Sequence, residues 1–343
     1  MAAAVIPAHA SAQRAAAPRD RLGDTAIDRL GGTAIDRLGD TAIDRQLFDN
    51  LQHRVESFDP TRLPRLSPLA ARLSGMNVSE IGSAREFCHL IEHEPVLVAR
   101  LIGLANSVAF GVPGKRFNTL DQALMRIGLH QSAQICFALL CSQAIGDTVA
   151  PRWRSALWVH ALCTAASANK IARELDTCDP NDAYLGGLIY DIGLMALECV
   201  QKGTLDALAA TAEAEGRPMR EVEDERAGDA RDRLARTLLS SWSIPVPIIE
   251  AVSRRALSSM DQDSMPAVLW CADHMARSRK LVEGIYLDEE PPLPLQICTQ
   301  DELPDAFYTA CSLAPAETVK IEARVASQVQ ALRAMASMFT QIR

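Results

Sequence analysis

Apolar residues recur at helical spacing along most of this chain, and alternating runs of β-branched residues are almost absent. From about Gln46 to Ile145 the apolar positions follow the pattern of one helix face after another, which favours α-helices over strands. A second series of helical segments begins at Pro151. The sequence therefore predicts an all-α fold.

The length and composition allow a large core with more than one part. The chain has 343 residues, of which 48% are hydrophobic, so it can bury a core of domain size. Shifts in composition predict four segments. These are a flexible tail over residues 1–46, an N-terminal helical lobe over residues 47–150, a second helical lobe over residues 151–285, and a proline-rich linker with a C-terminal amphipathic helix over residues 286–343.

The predicted tail contains an eight-residue repeat. "DRLGDTAI" starts at Asp20, "DRLGGTAI" at Asp28 and "DRLGDTAI" again at Asp36. At about 100° per residue, eight residues rotate the apolar positions by about 80° per copy, so no lasting apolar seam forms on a helix. We interpret the repeat as a flexible or loosely helical tail. A docking segment for a partner is the alternative.

The final segment carries an apolar stripe at helical spacing. The predicted helix covers Ala316 to Ile342 and places these residues on one face: Ile321, Val325, Val329, Leu332, Met335 and Phe339. Such a stripe is typical of a helix packed on its own domain. A partner site is the alternative interpretation.

Charge and hydropathy argue against nucleic acid and membrane as partners. The net charge is −8 and the sequence pI is near 5.5, which gives no general attraction to phosphate backbones or anionic lipids. The N-terminus lacks a basic region, and Pro7 and His9 interrupt its apolar run, unlike a signal peptide. The uncharged stretch from Ile127 to Gly146 contains several polar residues, so we expect a buried helix there.

The cysteines also indicate a reducing compartment. All nine are scattered and none forms a CxxC pair, so we expect reduced core residues in a cytoplasmic protein.

One carboxylate stands inside the apolar run "YLGGLIYDIGLMALE", which extends from Tyr184 to Glu198. An ionised Asp191 in a buried helical segment must find a partner or stay protonated. The identity of that partner is the main chemical question that this sequence raises.

Several motifs in a fixed order resemble the HDOD family, whose members are relatives of the HD metal-dependent phosphohydrolases. They run from about Leu63 to Lys280 and are "LPRLSPLAARL", "HEPVLVARLIGLANSVAFG", "LDQALMRIGL", "LWVHALCTA", "AYLGGLIYDIG" and "WSIP". The resemblance implies an all-α two-lobe domain, here an N-terminal lobe followed by an HD-like lobe. It also implies an output or interaction module of bacterial signalling, close to cyclic-dinucleotide or two-component pathways.

The resemblance also implies where an HD site would lie. By position, His160 matches the first histidine, Asp191 the aspartate of the His-Asp pair and Asp273 the distal aspartate, whereas Tyr190 stands where the histidine of that pair belongs. A neutral phenol is a poor ligand beside a carboxylate. Leu194 replaces a lysine that often follows in catalytic relatives.

Arginines occupy the region in which further histidine ligands occur in dinuclear relatives. Arg231, Arg254 and Arg255 offer ligand or charge contacts there, but arginine cannot ligate a metal and its charge repels one. The HHExxDGxGYP signature is absent, which disfavours a cyclic-di-GMP phosphodiesterase of the HD-GYP type.

The sequence therefore favours a non-catalytic signalling protein without a cofactor, in which His160 pairs with Asp191, and Asp273 or an arginine extends the pair. One alternative is a metal-dependent phosphohydrolase with a reduced site of His160, Asp191 and Asp273. Another is a nucleotide-sensing module with a ligand where the lobes meet. His89 and His93 share a helical face without an evident third ligand, and His274 is expected to point to another helical face than Asp273.

Overall fold

A computed structural model describes residues 51–75, 84–107, 110–255, 264–278 and 303–328, together with residues 48, 331, 332, 334 and 335. The predicted tail over residues 1–46, with its repeats, lies outside the described residues. The same holds for residues 286–302 of the predicted linker, and for Val329 and Phe339 of the C-terminal stripe.

The described residues are helical and contain no β-strand, which confirms the all-α prediction. The helices that precede Pro151 are α1 (Leu51–Glu56), α2 (Pro68–Gly75), α3 (Ala84–Ile91), α4 (Pro95–Ala105), α5 (Leu120–Ile127) and α6 (Leu129–Ile145). Those that follow are α7 (Pro151–Leu175), α8 (Pro180–Leu188), α9 (Ile192–Val200), α10 (Thr204–Glu215), α11 (Met219–Ala227), α12 (Ala230–Ser241), α13 (Val246–Val252), α14 (Met265–Ala276), α15 (Asp305–Ala310) and α16 (Pro315–Ala326).

Helices α2 to α6 form one packed group. Helix α5 contacts α3, α4 and α6, and α2 packs on α6. The start of α5 is capped by Thr119, whose hydroxyl accepts a hydrogen bond from the backbone N–H of Gln122 at 3.3 Å. The Gln122 side chain in turn accepts from the N–H of Asn118 at 2.9 Å. In a standard capping box the Gln122 side chain would accept from the N–H of Thr119 itself, so the reciprocal bond here goes to the residue before the N-cap.

A sharp bend at Gly128 separates α5 from α6. Gly128 has φ of +97°, a conformation that favours glycine, and the two helix axes differ by 107°. Most of α6 is buried, as predicted for Ile127 to Gly146. Among the described residues, Pro180 to Val200 is also long and apolar enough to cross a membrane, but 83% of its most apolar 18-residue stretch is buried inside the protein. Buried core helices of globular proteins commonly have this length and apolar composition.

The long helix α7 is the centre of the second group. It packs against α8, α14 and α16, while α9 packs on α12 and α13 contacts α8, α12 and α14. The uncharged stretch of α7 is buried for most of its length, as its composition predicts.

Two glycines allow the helices around Asp191 to approach closely. A Cβ on Gly187 would lie 2.7 Å from the Ala165 backbone of α7, and one on Gly193 would lie 2.4 Å from the Arg231 carbonyl oxygen of α12. Both distances are far inside van der Waals contact. The pair of glycines therefore brings α7 and α12 to the two sides of the α8–α9 turn, where Asp191 lies.

The ends of the described chain pack on the second group. Helix α1 contacts α12, α15 contacts α14, and α16 contacts α7. The stripe residues Ile321, Val325, Leu332 and Met335 are buried, as expected for packing on the same domain. A turn at residues 327 and 328 ends α16.

The described cysteines are free thiols, and five of them are buried: Cys136, Cys141, Cys163, Cys271 and Cys311. Their packing in apolar helices agrees with the role as core residues that the sequence predicts.

We predict that Gly193→Ala lowers the free energy of unfolding by about 1–3 kcal/mol, because the added methyl group pushes α9 away from α12. Urea unfolding followed by circular dichroism measures the change. Gly103→Ala in α4 is the matched control, since an added Cβ would have no atom within 4 Å apart from its chain neighbours and the backbone of its own helix, and it should be neutral or stabilising by up to about 1 kcal/mol. Equal effects of the two substitutions would contradict the close-approach argument.

Candidate functional site

Asp191 lies in the turn between α8 and α9 with 2% of its side chain exposed. Its Oδ2 is 2.5 Å from Nδ1 of His160 on α7, and its Oδ1 accepts a hydrogen bond from Nη2 of Arg231 on α12 at 2.6 Å. Both carboxylate oxygens therefore have a nitrogen partner from a neighbouring helix, which satisfies the buried charge.

Asp273 on α14 is the second buried carboxylate and is fully enclosed. Arg277, one turn later on the same helix, donates to its Oδ1 at 3.0 Å, and Arg220 on α11 donates to its Oδ2. Nε2 of His160 lies 3.3 Å from Oδ1, at ion-pair distance but without the alignment of a hydrogen bond. His160 thus lies between the two aspartates.

Glu223 on α11 is a third buried carboxylate of this cluster. It accepts hydrogen bonds from Nη1 of Arg231 at 3.0 and 3.1 Å and from Nη2 of Arg255 at 3.2 Å. Arg255 also donates to Asp232 at 2.6 Å. The guanidinium of Arg231 therefore bridges Asp191 and Glu223 and joins two parts of one ionic cluster.

Burial and neighbouring charges act against each other on these groups. Burial alone would lower the pKa of His160, but the Asp191 carboxylate and its hydrogen bond, together with Asp273, raise the pKa above the usual imidazole value. Burial raises the pKa of Asp191, yet His160 and Arg231 lower it further than burial raises it. For Asp273, the charges of Arg277 and Arg220 overcome burial and hold the pKa well below the ordinary range. The favoured state is an imidazolium between two carboxylates.

Tyr190 is buried beside this cluster. Its ring lies 5.7 Å from the Arg231 guanidinium carbon, and its backbone carbonyl accepts a hydrogen bond from Arg231 Nη2 at 3.0 Å. Its hydroxyl has no hydrogen-bond partner among the described residues, and burial raises the pKa of the phenol. A phenol in this position stays protonated, so it offers no anionic ligand.

The donor set does not fit a divalent cation of the HD type. One donor atom each of His160, Asp191 and Asp273 lies within 4.8 Å of the others, which is a spacing that a metal could use. Their lone pairs, however, already face Arg231, Arg220, Arg277 and each other. A cation would have to displace fixed guanidinium groups and deprotonate His160. The charges that a metal would neutralise are therefore neutralised by the protein itself.

A cavity of about 30 Å³ opens beside the cluster. Its polar side is formed by His160, Asp191, Arg220, Glu223 and Arg277, and its apolar side includes Trp153, Leu157 and Met219. This volume accommodates about one water molecule.

Of the other candidate residues, Arg254 lies outside the cluster, whereas Nδ1 of His274 lies 3.9 Å from Oδ2 of Asp273. Arg254 is exposed and pairs with Glu250 at 3.4 Å, so it does not reach the cluster. The ring of His274 stacks on Trp270 with centroids 3.7 Å apart, its Nδ1 lies 2.9 Å from the Trp270 carbonyl oxygen, and burial lowers its pKa to about 4.

Sequence reasoning identified His160, Asp191, Asp273, Arg231 and Arg255 and missed three residues of the cluster. Arg277 follows Asp273 by four positions, a spacing that already places the two on one helix face. Arg220 and Glu223 belong to "MREVEDERA", in which charges surround the helix and no pattern marks the buried face.

The family assignment follows from the sequence match. The HDOD domain matches residues 63–256, which is more than half of the chain and includes α2 to α13. The chain therefore belongs to the HDOD domain family, as the motif order predicts. None of the curated proteins compared with the chain matches it.

Several solved structures have a similar fold. One is named "Putative signal transduction protein" from Marinobacter aquaeolei VT8, with a TM-score of 0.64, 19% identity and coverage of 88% of this chain and 67% of that chain. A second is named "Putative phosphohydrolase" from Shewanella amazonensis SB2B, with a TM-score of 0.58, 19% identity and coverage of 84% and 97%. A third is an HDOD domain protein with unknown function from Geobacter sulfurreducens, with a TM-score of 0.57, 19% identity and coverage of 82% and 98%. At this identity the likeness shows the fold alone.

We expect Asp191→Ala to lower the free energy of unfolding by about 3–5 kcal/mol, because it strands the buried charges of His160 and Arg231. Chemical unfolding measures the loss. Asp229→Ala is the matched control, since it removes an exposed carboxylate 3.3 Å from Arg233 and should cost at most about 1 kcal/mol. An unchanged free energy of unfolding for Asp191→Ala would mean that Asp191 is not in contact with His160 and Arg231.

The raised pKa of His160 predicts a loss of stability above pH 6.5. An unfolded imidazole loses its proton near pH 6.5, whereas the folded protein keeps the His160 proton to higher pH. The His160 contribution is therefore complete below pH 6.5 and falls as the pH rises through the folded pKa. Urea unfolding between pH 6.5 and 8 should show this decline in the wild type.

His160→Gln should remove that decline, whereas His274→Gln should retain it. The pKa of His274 is lowered to about 4, so its contribution grows between about pH 4 and 6.5 and is constant above that range. A wild-type stability that is flat or rising from pH 6.5 to 8 would contradict a protonated His160.

Proposed function

We propose that this chain is a non-catalytic signalling protein of the cytoplasm whose HDOD domain acts as an interaction module for a protein partner. The single observation that carries the proposal is the double hydrogen bonding of Asp191 by His160 and Arg231. In an HD phosphohydrolase, the equivalent carboxylate binds the metal that activates water. Here its charge is used to hold helices together.

The remaining contacts support the same proposal. A guanidinium cannot replace a metal ion as a generator of hydroxide, because it has no coordination position for water. The Asp273 carboxylate is held by Arg220 and Arg277, and the Tyr190 phenol does not supply the missing ligand. A cluster whose carboxylates are all paired with cations of the protein favours a structural role over a hydrolytic one.

The proposed partner is a signalling protein, with cyclic-dinucleotide or two-component pathways as the setting that the resemblance implies. The similar Marinobacter structure is named "Putative signal transduction protein", which supports a role in signalling but names no pathway. The net charge of −8 favours a protein partner over nucleic acid.

A reduced phosphohydrolase is the competing function, and the spacing of His160, Asp191 and Asp273 within 4.8 Å is the observation in its favour. The Shewanella structure with a similar fold is named "Putative phosphohydrolase". The two functions differ in one measurable property, since hydrolysis at this site needs a bound metal.

A small-molecule sensor is favoured by a different feature. A cleft of about 310 Å³ lies between Val55, Phe58 and Leu63 on one side and Arg233, Leu234 and Thr237 of α12 on the other. Its volume is at the lower end of ligand pockets. This cleft, rather than the cavity at His160, lies where residues of the two predicted lobes meet, so thermal-shift screening with nucleotides and variants at Thr237 would test it.

We predict that protein purified without chelators holds no stoichiometric metal at this cluster and does not hydrolyse bis-p-nitrophenyl phosphate with added Mn²⁺. Metal analysis by mass spectrometry and release of nitrophenolate provide the measurements. Tyr190→His should gain neither property, because Arg231 still neutralises Asp191. Stoichiometric Mn, Fe or Zn that is lost in Asp191→Ala, together with hydrolysis, would contradict the proposal.

A further inference from the structure

The loop of residues 110–119, which precedes α5, contains a tight turn. The N–H of Lys115 donates to the Val112 carbonyl oxygen at 2.9 Å, and Gly114 at the third position of the turn has φ of +75°. Proline at the second position and glycine at the third are typical of a type II turn. The side chains of Val112, Lys115 and Arg116 are exposed on this loop.

Two neighbouring helices hold the loop in place. Asn106 at the end of α4 donates from Nδ2 to the Phe117 carbonyl oxygen at 2.7 Å, and its Oδ1 accepts from the Phe117 N–H at 2.9 Å. Nε of Arg126 near the end of α5 donates to the Phe110 carbonyl oxygen, which places this end of α5 beside the loop. Because the loop is anchored at both ends, it has less conformational entropy to lose on binding.

Exposed apolar and basic side chains occur together on this part of the surface. Met125, the residue before Arg126 in α5, is 80% exposed, and Val112 is 40% exposed. Lys115, Arg116 and Arg126 form no ion pair with a carboxylate among the residues that the structure describes. We call these five residues the loop surface.

The charge of the loop surface is opposite to that of the whole chain. The chain has a net charge of −8, and many of its arginines are paired, for example Arg217 with Glu215 and Glu225 at 2.8 Å. Three cations without such partners attract the carboxylates of another molecule. Guanidinium groups can bind a carboxylate through two N–H donors, and a methionine side chain adapts to apolar partners of different shapes.

We propose that the loop surface binds an acidic segment of a protein partner in which carboxylates flank an apolar side chain. The carboxylates pair with Lys115 and Arg116, and the apolar side chain packs on Met125. This inference rests on the proposed function, since it names the face that the interaction module uses. Nucleic acid fits less well, because the negative chain repels a phosphate backbone and the loop surface has no aromatic side chain for base stacking.

Selection of phage-displayed random peptides on the full chain supplies a probe, and fluorescence anisotropy of the most enriched peptide measures its affinity. We expect peptides in which Asp or Glu flanks Leu or Phe. Lys115→Glu/Arg116→Glu should weaken binding by about tenfold or more, because it repels the carboxylates, and Met125→Ser should also weaken it. Lys202→Glu/Lys320→Glu is the matched control, since it makes the same change of charge at exposed positions elsewhere and should bind as the wild type does.

Several results would overturn the inference. Equal affinity of the peptide for the wild type and for Lys115→Glu/Arg116→Glu would exclude the loop surface, as would a selection that yields no peptide or only peptides without acidic residues. An equal loss of affinity in the Lys202→Glu/Lys320→Glu control would indicate attraction by net charge alone. Cosedimentation of the wild type with phosphatidylserine vesicles that is lost in Lys115→Glu/Arg116→Glu would assign the loop surface to a membrane instead.

These outcomes differ from a failure of the proposed function, which would appear as stoichiometric metal together with hydrolysis. A peptide that binds elsewhere on the chain would exclude the loop surface and leave the interaction module in place. The substituted side chains are exposed, so every variant should retain the circular dichroism of the wild type.

Discussion

The carboxylate of Asp191 is the constraint on which the second group of helices depends. A charge buried to this extent is tolerated only with partners in hydrogen-bond contact. His160 reaches it from α7 and Arg231 from α12, at 2.5 and 2.6 Å. Because Asp191 itself lies in the α8–α9 turn, a single side chain fixes the positions of three segments. Gly187 and Gly193 allow those segments to come close enough for these contacts.

Further ion pairs between helices extend the cluster. Arg231 also pairs with Glu223 on α11, and Arg220 and Arg277 both pair with Asp273 on α14. Each carboxylate is neutralised by groups of fixed positive charge or by the protonated His160. One donor atom each of His160, Asp191 and Asp273 lies within 4.8 Å of the others, and the two carboxylates are paired with cations of the protein itself. These internal ion pairs are the physical reason for proposing that an HDOD protein uses the fold as a scaffold for a partner.

Much of this arrangement could be predicted from local patterns. Helical periodicity predicted the all-α fold, and the motif order identified the family and brought His160, Asp191 and Asp273 into one site. The partners from α11 could not be found in this way, because Arg220 and Glu223 belong to a helix with charges on every side, and only the tertiary packing decides which of them is buried.

The protonation state of His160 tests the central claim most directly. If the cluster is neutralised from within, His160 is an imidazolium, and both ring nitrogens carry protons at pH 7. Nitrogen-15 NMR of histidine-labelled protein, with His160→Gln to assign the signal, should show two protonated nitrogens for this ring. A neutral ring with an unprotonated nitrogen at pH 7 would mean that a ligand position is available for a metal, and it would contradict the account.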